Sequence, residues 1–176
     1  RVMTPMTSEV MDLGRVITQV PGHALYAGEA TMTHATHKLW LRVTALVIGS
    51  FGPVFFLGTM APTLEPARLT LDVLSWPIDG GTTYAHPDTR FLSALTGGFL
   101  LGWGVTVWCL STWVFDLAPE GVRRTVLLGL CSWFCLDSAG SIASGNASNA
   151  FFNVLVLAVA AGPLWVPARN AVESAP

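Results

Sequence analysis

Charge is what this chain has least of: Asp, Glu, Lys and Arg together make up 11% of its 176 residues, against 52% hydrophobic residues. A soluble domain of that length needs a more charged surface, so the composition argues against one. The formal net charge is −2, and no stretch gathers Lys and Arg. This excludes a nucleic-acid partner, whose phosphates demand clustered basic side chains. Cysteine is scarce as well. Cys109, Cys131 and Cys135 all lie inside apolar stretches, form no disulfide framework and read as small packing residues. No apolar run contains a histidine and no catalytic, cofactor or nucleotide motif is recognisable, which leans against an enzyme.

What the chain does have is four long apolar runs, from about Val43 to Met60, Phe91 to Phe115, Thr125 to Ala143 and Ala150 to Pro167. Each approaches the roughly 20 residues that cross about 30 Å of hydrocarbon as a helix. Strands are excluded, because four of them cannot close a barrel and open strands in lipid leave backbone groups unpaired. The expected fold is all-α, a four-transmembrane-helix bundle. Pro53 and Pro163 should kink or end their helices.

Orientation is read from the nine basic residues. Arg1, Arg15, Lys38, Arg42, Arg123, Arg124 and Arg169 fall in the N-terminal region, the second connection and the C-terminal tail. Only Arg68 and Arg90 fall in the first connection, and residues 144–149 carry none. The positive-inside bias then puts both termini in the cytoplasm, as an even number of spans requires. Trp40, Trp113 and Trp165 fit an inner interfacial belt and Trp76 an outer one, whereas Trp103, Trp108 and Trp133 lie within spans. Those three read as packing residues or as the lining of a site for a flat hydrophobic ligand.

The domain layout is a polar N-terminal extension (1–38), one transmembrane domain (39–168) and a short tail (169–176). Residues 1–31 lack the order of a secretory signal, and Met32 stands where an initiator would, so either translation starts at Met32 and the extension is partly non-native, or residues 1–31 are a loosely ordered extension. Peptides preceding Met32 in the mass spectrum of the intact protein would contradict a start there. In the first outer connection, residues 66–76 (PARLTLDVLSW) place Leu69, Val73 and Trp76 on one face, with Arg68 and Asp72 elsewhere. This predicts a short amphipathic interfacial helix ended by Pro77. His86 and Asp88 are too few ligands for a metal.

Ala94, Gly98 and Gly102 recur every fourth residue, and Gly97 and Gly104 widen the smooth surface, a pattern that predicts a close helix contact, within the bundle by preference or else with another subunit. The carboxylate of Asp137 within a span needs a partner, a cavity or water. At about 1.5 Å per residue it lies roughly 20 Å beyond Arg124, in the outer half. Arg90 enters from the same side and is expected to reach toward it, with Ser138, Ser141, Asn149 and Asn153 at similar depth and Ser144 and Asn146 nearer the surface. Two readings stand: a tether fixing the helices, or an outward-opening polar pocket for a ligand or a proton. Cys131 and Cys135 share a helix face, but two thiols do not make a zinc site. His34 and His37 are expected at the interface.

Arg90-Phe91, Gly97-Gly98, Gly102-Trp103-Gly104, Trp133-Phe134, residues 137–141 (DSAGS), Gly145, Asn149 and Asn153 together resemble a group of uncharacterised small bacterial four-helix integral membrane proteins, loosely DoxX-like in layout. The resemblance spans about Leu41 to Pro167. It implies the four-helix fold and a bacterial inner membrane. The quinone-coupled redox chemistry linked to DoxX-type proteins carries over to no residue here. Two functions follow as expectations: a non-catalytic accessory subunit of a larger membrane complex, slightly favoured, or a site for a lipid, quinone or similar lipophile. The expected partners are the bilayer and other membrane-protein subunits.

Overall fold

A computed structural model of the protein describes residues 34–168, and every regular element among them is helical. Residues 1–31, with the proposed start at Met32, and the tail from Arg169 onward lie outside the described residues. The elements are α1 (His34–Leu57), α2 (Glu65–Ser75), α3 (Pro87–Cys109), α4 (Pro119–Ala143) and α5 (Ala147–Ala161). α3 continues through a π turn at Leu110–Val114, and α5 is followed by a 3₁₀ turn at Gly162–Trp165. Among the described residues, four helices are long and apolar enough to cross a bilayer: α1, α3 with its π turn, α4, and α5 with its 3₁₀ turn. Their outward faces carry large apolar side chains such as Phe99, Leu128, Leu136 and Val159, which suits hydrocarbon and not water.

α1 starts nine residues before its apolar run. Its first turns carry Lys38, which pairs with Asp116, and Arg42, whose guanidinium lies 5.8 Å from the Trp108 ring centre. The first turns of the helix thus hold one basic side chain in an ion pair and another over an aromatic ring. The helix also runs on through Pro53 to Leu57. At Pro163 the expectation is met nearby, because α5 stops at Ala161 and the backbone turns at Gly162, with φ of 23°.

α1 and α3 are antiparallel and in close contact. A Cβ on Gly97 would stand 2.7 Å from the Gly52 carbonyl oxygen, and one on Gly104 would stand 2.7 Å from the backbone of Ala45 and Gly49. Only glycine permits that approach, which lets backbones gain dispersion and weak Cα–H contacts where lipid supplies no hydrophobic drive. The contact face is therefore Ser93, Gly97, Gly104 and Val107, all buried. Of the small residues expected to form a helix contact, Gly97 and Gly104 make this one and Ala94, Gly98 and Gly102 do not: Gly98 and Gly102 are exposed with nothing within 4 Å of an added Cβ, and Ala94 is half-buried. A four-residue repeat of small side chains shows where a helix is smooth, not which way it is turned.

The apolar core fills the basic end of the bundle. Leu41 and Ala45 of α1, Val107 of α3, Phe115, and Val122, Val126 and Leu130 of α4 meet Ala161 and Leu164 there. The π turn, closed by the Phe115 amide donating to the Leu110 carbonyl at 2.9 Å, accompanies full burial of Phe115. Beyond Leu130 toward the other end, the buried side chains of α4 and α5 are polar: Ser138, Ser141 and Asn153. At that end Phe55, Ala67 and Tyr84 form a second, smaller apolar cluster.

α2 lies across this second end. Ala67 packs against Gly58 of the α1 terminus, and the Ser148 hydroxyl at the start of α5 donates to the Leu74 carbonyl at 2.6 Å. Leu69 and Trp76 are exposed, as an interfacial helix requires. Asp72 is instead buried and accepts from the Gly80 amide at 3.1 Å, so it faces the protein and holds the loop after α2.

Candidate functional site: a carboxylate beside an apolar groove

α4 and α5 form a tight hairpin through residues 144–146, where Gly145 takes φ of 84°, a conformation that glycine adopts without strain. The hairpin brings two side-chain rows face to face. Asp137, Ser138 and Ser141 fall on one side of α4 at i, i+1 and i+4, and Asn149 and Asn153 at i and i+4 on α5.

Their hydrogen bonds converge on one atom. Asn153 Nδ2 donates to Asp137 Oδ2 at 2.6 Å and to Ser138 Oγ at 3.1 Å. Asn149 Nδ2 donates to the same Asp137 Oδ2 at 3.0 Å and to Ser141 Oγ at 2.7 Å. Two amide donors on one oxygen suit an acceptor-only carboxylate. The other oxygen, Oδ1, makes no hydrogen bond among the described residues.

Arg90, expected to reach this carboxylate, is held elsewhere: its Nε donates to the Tyr84 carbonyl at 2.8 Å. No ion pair joins Arg90 to Asp137 among the described residues. The loop before α3 folds back over the arginine, and a backbone acceptor six residues away is reached more readily than a carboxylate on another helix. Sequence depth alone places both groups on one side of the membrane but does not specify their angular positions around the bundle.

Asp137 also lines a groove of about 690 Å³. Phe99 of α3 and Trp133 and Leu136 of α4 make its apolar walls, and Gly140, Ser141 and Ser144 lead from Asp137 toward the end of α4. The Trp133 ring lies 6.3 Å from that of Trp103. Of the three tryptophans within spans, Trp133 therefore lines an open site. Phe99 and Leu136 could not be singled out in a chain so rich in exposed apolar residues.

The basic end carries a separate polar cluster. Arg123 donates through Nε and Nη2 to the two oxygens of Glu120, at 2.6 Å each, and through Nη1 to the Leu164 carbonyl at 2.6 Å. Glu120 also accepts from Arg124 at 2.7 Å and from the Ala168 amide at 3.2 Å. His37 is fully buried against the protein, with Nε2 3.0 Å from the Val166 carbonyl oxygen, and Trp40 Nε1 donates to the Ala160 carbonyl at 3.1 Å. These bonds anchor the segment after α5. In the loop before α4, the hydrogen bond from the Lys38 ammonium holds the Asp116 carboxyl below its ordinary value.

The other candidate ligands are dispersed. His86 caps α3, its Nδ1 accepting from the Asp88 amide at 3.3 Å, and the three cysteines are free thiols. No group of three metal-ligating side chains occurs among the described residues. Compared with protein-family models, curated proteins and solved structures, the chain matches none. The chemistry of the site is thus read from its own atoms: a carboxylate with one saturated and one open oxygen, above an aromatic wall.

Proposed function

We propose that the protein binds a lipophilic small molecule, such as a lipid or a quinone, in the groove between α3 and α4. The observation that carries this reading is the position of Asp137: Oδ2 accepts from both Asn149 and Asn153, while Oδ1 accepts no hydrogen bond among the described residues, in a residue that lines the groove. A tether alone needs only the first oxygen. A carboxylate in a span is costly unless something uses it, and the apolar walls offer a lipophile both burial and a polar anchor.

Gly140 supplies the test. It lines the groove, and a Cβ there meets nothing within 4 Å, so Gly140→Leu should fill the groove and leave the Asp137 hydrogen bonds intact. Mass spectrometry of the protein purified in mild detergent should find a stoichiometric lipophile in the wild type and none in Gly140→Leu. An empty wild type, or equal retention by both, overturns the reading.

A second reading, as an accessory subunit of a membrane complex, is favoured by the outward-facing Gly98 and Gly102 of α3, a smooth strip suited to a neighbouring helix. Gly98→Leu should then release a partner that the wild type retains, and an unchanged monomeric mass for both would count against it. For orientation, Lys38, Arg42, Arg123 and Arg124 all lie at one end of the bundle, which supports a cytoplasmic location for that end in a bacterial inner membrane. A reporter fused to the C-terminus that is active only outside the cytoplasm should be silent.

A further inference from the structure

The groove is electrostatically one-sided. Its charged residue is Asp137, and each cation in the described residues is committed elsewhere. Arg90 donates to the Tyr84 carbonyl and Arg68 pairs with Glu65. Lys38, Arg42, Arg123 and Arg124 belong to the opposite end, at the starts of α1 and α4. The two amides on Oδ2 offset part of the cost of holding a carboxylate away from water, but they bring no net charge.

From this arrangement we infer that the groove selects a membrane lipid with a primary-amine headgroup, its ammonium donating to Asp137 Oδ1. The inference rests on the groove binding a lipophile at all, as proposed above, and adds the chemistry of the headgroup. A primary ammonium supplies both things the carboxylate lacks, a compensating charge and an N–H donor, in a charge-assisted bond that strengthens as water is excluded. A quaternary ammonium has the charge but no N–H. An anionic or polyol headgroup lacks the charge, and a phosphate without an amine is repelled by Asp137.

The polarity gradient along the groove fits the same ligand. Asp137 is six residues from the end of α4 at Ala143, or about 9 Å by helical rise, and Ser141 and Ser144 line the way out. Trp133 is about one turn deeper, and Phe99 is the twelfth residue beyond the start of α3. A lipid with its headgroup toward the membrane surface and its chains toward the centre would set its amine by the carboxylate and its chains along the aromatic wall.

The test is competitive retention in nanodiscs of equimolar phosphatidylethanolamine, phosphatidylcholine and phosphatidylglycerol with identical acyl chains, followed by native mass spectrometry of the released protein. The wild type should retain one phosphatidylethanolamine in about tenfold preference to the others, the size expected for one hydrogen bond to a charged group. Asp137→Asn should lose that preference. Gly140→Leu, which leaves the carboxylate network untouched, should lose the bound lipid itself and serves if Asp137→Asn fails to fold. Equal retention of all three lipids by the wild type, abolished by Gly140→Leu, would overturn the headgroup selection while leaving the groove as a lipophile site. If no lipid is retained but a quinone or other neutral lipophile co-purifies, the amine inference falls and the binding site stands. If the wild type retains nothing in either preparation, both fall.

Discussion

Asn153 Nδ2 lies 2.6 Å from Asp137 Oδ2, with the Asn153 side chain buried between α5 and α4. This contact joins the two helices where no buried apolar side chain does so, and the hairpin depends on it at that depth.

Replacing Asn153 by Leu removes the donor to both Asp137 and Ser138, leaving Asn149 alone on the carboxylate. We expect a loss of about 1 kcal/mol, the scale of interhelical hydrogen bonds in membrane proteins, measured by reversible denaturation in mixed micelles. The double variant with Asn149→Leu should cost more than the sum of the two single changes, because it leaves the carboxylate with no donor.

The two glycine faces of α3 should respond in opposite ways. Gly97→Ala places its Cβ 2.7 Å from the Gly52 carbonyl oxygen and should destabilise α1–α3 packing by about 1–3 kcal/mol. Gly98→Ala and Gly102→Ala meet nothing and should be neutral, or stabilising by up to about 1 kcal/mol through helix propensity. Thermal unfolding of the three variants in one detergent checks the ranking.

At the basic end, Arg123→Met removes a buried guanidinium that holds both Glu120 and the Leu164 carbonyl. Leaving Glu120 with Arg124 and one amide should cost about 3 kcal/mol. Faster hydrogen exchange is expected in residues 162–168 before any change in α1 or α3. Arg123→Lys should rescue little, since a point charge cannot reproduce the bidentate fork.

Acid should separate the Lys38–Asp116 pair from the rest. Its folded pKa is lowered by the Lys38 hydrogen bond, so its contribution to stability is present above the unfolded carboxylate value of about 3.9 and is lost as pH falls through the folded value. Asp116→Asn should therefore differ from wild type at pH 6 and converge with it in strong acid. Because Asp116 is exposed, added salt should shrink the difference at pH 6.

Four spans, their all-helical character and the interfacial helix after α1 were legible in the sequence, because hydrocarbon thickness and backbone hydrogen bonding impose them on each segment separately. The shared depth of the polar row from Asp137 to Asn153 was legible too, since a short turn sets its two helices side by side, although not that both rows turn toward each other. Helix rotation and side-chain partnership were decided only by the tertiary structure. Gly97 faces α1 while the equally small Gly98 faces outward, because one residue turns a helix by about 100°. Arg90 donates on its own loop to the Tyr84 carbonyl, and among the described residues Asp137 is left to two asparagines on one oxygen. Depth follows from counting along one chain segment, but angle and partnership follow from how all the segments pack at once.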